Sequence, residues 1–171
     1  PNGVFFSSTA VVDVSGLVAT AANISNDKFM SGNMAFDIAG DPTATIKNEG
    51  IITAKNAGLV GLVAPNVINN GVITANLGKV TLASGDRFAV DFYGDGLFNI
   101  SLSDEVTSQI VSNKGKIESG TIIMSASQGN NIVNSLIDVE GELKAPVAVE
   151  QNGKIIISGS KTKTIAIVTN Q

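Results

Sequence analysis

Asn69-Asn70-Gly71-Val72-Ile73-Thr74-Ala75 restates, 21 residues on (Gly50 to Gly71), the stretch Asn48-Glu49-Gly50-Ile51-Ile52-Thr53-Ala54. The pattern Asn-x-Gly-x-Ile-x-Ala returns at Asn113-Lys114-Gly115-Lys116-Ile117-Glu118-Ser119. Weaker copies read Val139-Glu140-Gly141-Glu142-Leu143-Lys144-Ala145 and Val14-Ser15-Gly16-Leu17-Val18-Ala19-Thr20. A second unit follows each: Gly58 to Ala64, Gly78 to Ser84, Gly120 to Ala126 and Gly153 to Gly159, with Gly32 to Ile38 as the expected early copy. Self-similarity at a fixed period of this size is the mark of a repeat architecture.

Stacking the copies gives columns. In the first unit one column is Val18, Ile52, Ile73, Ile117, Leu143, and two residues on a small one follows: Thr20, Ala54, Ala75, Ser119, Ala145. In the second unit the columns are Val60, Val80, Ile122, Ile155 and then Leu62, Leu82, Met124, Ile157. Between them Leu59, Lys79, Thr121 and Lys154 vary freely. Period-two alternation marks strands with one buried face. The units are too short and too glycine-broken for helices of ~8–20 residues. A sandwich would also space strands by ~8–12 residues, but gives no reason for the same two strand types to alternate. The reading is all-β: a right-handed parallel β-helix, each coil burying its face against its neighbours. Asn tolerates left-handed backbone and bonds locally in turns, and identical Asn residues stacked at a corner form ladders. Asn48, Gly50, Asn69, Asn70, Gly71, Asn113 and Gly115 are therefore read as turn and ladder residues, a structural role.

Gly71 to Gly115 spans 44 residues, about two periods, yet holds one strand pair. The surplus lies at about 85–111, where Phe88 to Tyr93 and Leu97 to Leu102 alternate as strands around Gly94-Asp95-Gly96, a hairpin signal. Four of the eight aromatic residues (Phe88, Phe92, Tyr93, Phe98) fall here, so an extra-helical β-hairpin lying on the solenoid is expected to bury those rings. A short helical turn is expected within Ser103 to Val111. The domain reading is a single β-helix domain over 1–171, a fragment of a longer exoprotein, with this insertion.

Composition narrows function. With 11 basic and 15 acidic residues and a charge of −4, the chain lacks the basic footprint of nucleic-acid binding. It has no His and no Cys, which removes the commonest general base, the commonest metal ligand and all thiol chemistry. No apolar run nears the ~20 residues of a membrane span; the longest, Leu59 to Ala64, has strand length. Asp91, Asp95, Asp104 and Glu105 are the densest acidic group; a Ca²⁺ site needs six to eight oxygens, and Asp95 between two glycines is read as a turn residue. Ser158-Gly159-Ser160-Lys161 matches Ser-x-x-Lys without its companion motifs. No catalytic residue, metal or cofactor is assigned, and the chain is read as not an enzyme.

Pro1-Asn2-Gly3-Val4 resembles the end of the Asn-Pro-Asn-Gly-Ile box of two-partner secretion domains, found near the N-terminus of filamentous-haemagglutinin-like exoproteins, the TpsA family. Gly85-Asp86-Arg87-Phe88 and Asp91-Phe92-Tyr93-Gly94-Asp95-Gly96-Leu97 resemble the hairpin segment of those domains, and Leu62-Val63-Ala64-Pro65 matches their style. The resemblance runs from Pro1 to about Gly159; Val4 stands where Ile is usual. It implies the later part of a secretion domain, with the first box and an N-terminal cap before Pro1. It further implies a partner, an outer-membrane TpsB-type transporter with POTRA modules, and Pro1, Asn2 and Gly3 as the secretion motif. The implied chain crosses unfolded, winds outside, and is secreted or held at the bacterial cell surface, host or bacterial ligands being met by the downstream protein of an adhesin-like parent. The competing reading is a structural or adhesive β-helix segment with no transporter role, and after it a carbohydrate-active β-helix enzyme. An open first coil exposes strand edges, so end-to-end association is a further expectation.

Overall fold

The computed structural model describes residues 1–145 apart from Tyr93 and Asp95, and beyond them the backbone of three strands. The chain winds as a parallel β-helix. Coil 1 holds β1 (Gly3–Phe6), β2 (Val11–Val14) and β3 (Leu17–Thr20), followed by an excursion with a short helix α1 (Asn26–Met30) and β4 (Ala35–Phe36). Coil 2 holds β5 (Thr45–Asn48), β6 (Ile51–Ala54) and β7 (Leu59–Ala64). Coil 3 holds β8 (Asn66–Asn69) and the long β9 (Val72–Ser84), then a hairpin of β10 (Arg87–Asp91) and β11 (Gly96–Ser101). Coil 4 is β12 (Ser108–Asn113) and β13 (Lys116–Ala126); β14 (Asn134–Val139) and β15 (Glu142–Ala145) open coil 5. The strands β16 (Ala148–Gln151), β17 (Lys154–Ser158) and β18 (Lys163–Thr164) follow.

Stacking is in register. One face is the parallel sheet β1-β5-β8-β12-β14. On the next, Val12, Ile52, Ile73, Ile117 and Leu143 pair rung by rung. On the third, Leu17, Val60, Val80 and Ile122 do so. These side chains, with Leu62, Leu82, Met124, Ile46, Val67 and Val111, form a narrow aliphatic core. Wherever a coil has no wide aromatic ring to seat, Val, Ile, Leu and Ala suffice to fill the bore.

The earliest copies sit differently from the sequence expectation. Val18 pairs with Gly61 and does not lie over Ile52; that place belongs to Val12, and Val14 stands over Ala54. Leu17–Thr20 is the first copy of the second unit, while Met34 to Ile38 leaves the solenoid: Ala35 and Phe36 pair antiparallel with β10. In coil 1 the first-unit strand carries no Asn or Gly in the diagnostic places, so pattern matching slid onto the next strand. At the other end, β17 pairs antiparallel with β13, Ile122 with Ile157 and Met124 with Ile155, where stacking of copies had implied a parallel rung.

The excursions leave from one corner, between the third strand of a coil and the first of the next, and they interlock. β4 from coil 1 reaches β10 from coil 3 across coil 2, whose own corner is only Pro65. The three-stranded sheet β11-β10-β4 lies on the outer face of β7. Leu59, Val63, Ala83, Phe88 and Val90 are buried there, with Leu97 and Ile100 against them. That is why all six residues of β7 are buried: its inner face lines the bore and its outer face lies under the hairpin, as in sheets covered on both sides. Gly61 makes room, because a Cβ there would stand 2.9 Å from Leu97 Cδ1.

Of the aromatic residues expected to be buried, Phe88 is, stacked on Phe36 with ring centroids 4.9 Å apart. Phe92 and Phe98 are exposed, and Tyr93 lies outside the described residues. A bulge at left-handed Asn99 shifts the hairpin register, and the aliphatic Leu97 and Ile100 do the packing. No helical turn forms over Ser103 to Val111; Asp104 and Glu105 make a turn, and β12 rejoins the solenoid at Ser108, inside the span read as insertion. Ile110 and Val111 belong to a rung on β8.

Candidate functional site

Two places gather the residues singled out in the sequence. At the corner between the first and second strands of each coil, Asn48, Asn69 and Asn113 stack as a buried ladder. Asn48 Nδ2 donates to Asn69 Oδ1 at 2.8 Å, and Asn69 Nδ2 to Asn113 Oδ1 at 2.7 Å. Each amide also donates at 3.3 Å to the carbonyl of the glycine two residues on: Gly50, Gly71 and Gly115. Asn113 Nδ2 also donates to Glu142 O at 3.4 Å, so each Asn amide makes two donated bonds. The glycines are fixed by proximity, since a Cβ on Gly71 would collide with the carbonyl oxygen of Gly50, and one on Gly115 with that of Gly71. Asn70 is exposed and stands outside the ladder; its backbone N–H donates to Asn48 O at 2.7 Å. Phe6 and Val139 occupy the rungs beyond Asn48 and Asn113. The polar atoms of this corner are taken up by one another and by the adjoining backbone.

The second place is the opening strand. Pro1, Asn2 and Gly3 are exposed at the start of β1, which ends its sheet. Gly3 has φ +138°, and a Cβ there would collide with Thr45 O, so the fold itself demands glycine. Pro1 O accepts from Asp41 N at 3.3 Å. Asn2, Gly3, Val4, Phe5, Thr45 and Lys47 line an open groove of about 370 Å³. Phe5 is 60% exposed, with Lys47 Nζ 5.8 Å from its ring centroid and paired to Glu49 at 2.6 Å. Nearby, hydrogen bonds from the Thr43 hydroxyl and N–H hold the Asp41 carboxyl below its ordinary value.

Of the acidic group of the insertion, Asp91 and Asp104 meet different neighbours. Asp104 accepts from Asn130 Nδ2 and holds Asn131 through its carbonyl, the Asp91 carboxylate lies against Gly94, and Asp95 is outside the described residues. Among the described residues no cluster of acidic side chains could hold a metal ion. Lys161 of the Ser-x-x-Lys match also lies outside them. Asp86, quoted in the hairpin motif but given no role of its own, is buried at the hairpin base and accepts from both N and Oγ of Ser103. Its place between Gly85 and the first hairpin strand was the available signal.

The geometry is therefore a stacked solenoid with a hairpin packed on its outer face and an exposed opening motif. The sequence pattern of the TPS secretion domain matches residues 1–170. The chain belongs to the TPS secretion domain family. A heme/hemopexin-binding protein of Haemophilus influenzae is 34% identical to this TPS domain over 166 residues, 92% of the chain but 18% of the relative. Another heme/hemopexin-binding protein from Haemophilus influenzae is 32% identical over 85 residues, half of the chain and 9% of that relative. The TPS domain thus spans under a fifth of these relatives. Among solved structures, the crystal structure of the HMW1 secretion domain from Haemophilus influenzae matches with a TM-score of 0.59 and 25% identity, over 85% of this chain and 43% of that one. The family is one of secretion modules of exoproteins exported across the outer membrane, and its fold agrees with the β-helix described above.

Proposed function

We propose that this TPS domain is the segment of a large exoprotein that a TpsB-type outer-membrane transporter engages through its POTRA modules, with Pro1-Asn2-Gly3 inside the recognised signal. The observation that carries the reading is the family match over residues 1–170 together with a motif left exposed at the start of β1. The motif divides by role. Gly3 serves the fold, and the Asn2 side chain is free to serve recognition. Transport of an unfolded chain fits a domain with no Cys, since an early disulfide would obstruct threading.

The parent is read as a secreted or surface-held exoprotein of adhesin type. By analogy with the heme/hemopexin-binding relatives, a haem-directed role is the alternative for the parent; its ligands are then expected outside this domain, which has neither His nor Cys. The domain itself is read as non-catalytic, a single β-helix unit with an extra-helical hairpin. A structural or adhesive segment with no transporter contact is the competing function. End-to-end association through the sheet-ending strands β1 and β2 is a separate proposal, checked by light scattering across a concentration series.

The test is a pull-down of the urea-unfolded chain on immobilised POTRA modules of the cognate transporter, with Asn2→Ala and Gly3→Ala beside the parent sequence. Binding that Asn2→Ala abolishes, while the refolded variant keeps its stability, supports the reading. Equal capture of all three chains, or none, leaves the structural segment as the better account.

A further inference from the structure

Gly71, Gly115 and Gly141 stack at the Asn corner, each too close to the coil before it to carry a Cβ. The residues that precede them are Asn70, Lys114 and Glu140, with Glu49 before Gly50. Asn70 alone of these sets a side-chain amide beside the nitrogen of a stacked glycine.

That pairing is reactive in an open chain. Asn is among the chemically labile residues, and a following glycine hinders attack least because it carries no Cβ. A bond forms between Gly71 N and Asn70 Cγ, the bond from Cγ to Nδ2 breaks, and Nδ2 leaves as ammonia with the proton that Gly71 N gives up. The product is a cyclic succinimide, which water opens on one of two sides. Attack at Cγ restores the main chain with an aspartate at this position. Attack at the main-chain carbonyl leaves the chain running through Cβ and Cγ, an isoaspartate with one more main-chain carbon. Nothing is oxidised or reduced in either step.

The wound structure closes this route. Asn70 is exposed, but Gly71 is buried. Gly71 N donates to Asn48 O at 3.0 Å, and Asn70 N donates to the same oxygen at 2.7 Å. The peptide bond between Asn70 and Gly71 is covered from coil 4, since a Cβ on Gly115 would stand 2.7 Å from Asn70 C and 2.8 Å from Gly71 N. On the coil 2 side, a Cβ on Gly71 would stand 2.7 Å from Glu49 C. Gly71 N therefore reacts only when the contacts to its neighbouring coils open. The same contacts separate the two products. An aspartate keeps the main-chain path and changes only an exposed side chain. An isoaspartate lengthens the chain at a peptide bond packed between two coils and draws Gly71 N away from Asn48 O. Close-packed surroundings do not take an added methylene without strain.

We propose that Asn70-Gly71 is a modification site gated by winding. The unwound chain carries a succinimide-forming pair, the stacking of coils 2, 3 and 4 shuts it, and a chain that has passed to isoaspartate there no longer winds. The pair thus sets a one-way limit on how long an open chain stays able to fold. The proposal stands on the packing of the corner and not on transporter recognition, so the two stand or fall separately.

The test ages the 171-residue chain in mildly alkaline buffer, folded in one sample and unfolded by urea in the other. Conversion at Asn70 is followed by peptide mass spectrometry, and isoaspartate by labelling with an isoaspartyl methyltransferase. Asn2-Gly3 and Asn152-Gly153 are the other Asn-Gly pairs, so the reading is taken at Asn70 by itself. The folded chain should convert at least about tenfold more slowly, because its reactive form is only the locally opened one. The urea-aged chain is then returned to native buffer and divided by protease resistance. Isoaspartate at this position should be confined to the digested fraction, while the aspartate product appears in both. Asn70→Gln, aged alike, should refold in higher yield than the parent chain. Equal conversion in the two samples, no conversion in urea, or isoaspartate at this position in the resistant fraction at its share of the aged mixture overturns the proposal.

Discussion

Asn69 donates through Nδ2 to Oδ1 of Asn113 at 2.7 Å, joining residues 44 positions apart in the chain at the middle of a ladder with no water-facing rung. Asn69→Ala would remove an acceptor from Asn48 and a donor from Asn113 together. A buried polar group left unsatisfied costs about 1–3 kcal/mol, so a loss of roughly 2–4 kcal/mol is expected from the two. Asn70→Ala, next door but exposed, should stay within about 0.5 kcal/mol. Urea unfolding of the pair of variants checks the contrast.

Glycine is required at Gly71 for closeness and at Gly32 for backbone angle, and these should separate. A Cβ at Gly71 would collide with Gly50 O, while at Gly32, φ +76°, nothing lies within 4 Å. Gly32→Ala should cost about 1 kcal/mol, the usual left-handed penalty. Gly71→Ala must push coils 2 and 3 apart along the ladder, and is expected to lower the unfolding midpoint far more. Equal midpoints for the two variants would refute the stacked-glycine account.

The ladder and the columns from Ile52 to Leu143 were legible because the same physics repeats coil after coil: in-register stacking forces like residues to like places. What failed to be legible was whatever does not repeat. Val12 and Val14 take the first-coil places without an Asn or Gly to announce them. Ala35 and Phe36 match the repeat pattern yet pair with β10, because a two-residue alternation cannot say which sheet a strand joins. Phe98 is left exposed where the Asn99 bulge hands the packing to Leu97 and Ile100, and a left-handed Asn inside a strand leaves no mark in hydropathy. Of the motif, Pro1-Asn2-Gly3 was visible as letters, but the demand for glycine at Gly3 comes from Thr45, over forty residues away.

The hairpin should detach without unwinding the coils. Phe88→Ala removes a buried ring stacked on Phe36, and such truncations cost about 3–5 kcal/mol. Because Phe88 packs on the outer face of the solenoid and not in its bore, the loss should appear as early protease cutting near 91–96 while the β-sheet circular dichroism persists. Gly61→Ala should weaken the seat of Leu97 and be partly rescued by Leu97→Ala, a coupling that a double-mutant cycle reads directly. Additive effects would mean that Gly61 is small for another reason.

The turn that hands the first excursion back to the solenoid carries a pH dependence of known sign. Thr43 donates to Asp41 Oδ1 from its hydroxyl at 2.6 Å and its N–H at 2.7 Å, and these bonds lower the carboxyl below 3.8. A folded-state value below the unfolded one means the native state favours the ionised form. The contribution is then fully present above the ordinary carboxylate range, about 4, and is lost as pH falls through the lowered folded value. Asp37 follows the same rule, its carboxyl lowered chiefly by the hydrogen bond from Lys28. Both groups are exposed, so the effect is small and is best read as a difference: the gap in melting temperature between the parent chain and Asp41→Ala should be constant from pH 8 to pH 5 and close in stronger acid. Asp41 N also holds Pro1 O, a bond that Asp41→Ala retains, so amide exchange in β1 should change only as far as the turn itself loosens. A gap that widened in acid would contradict the sign and remove the Thr43 bonds as its cause.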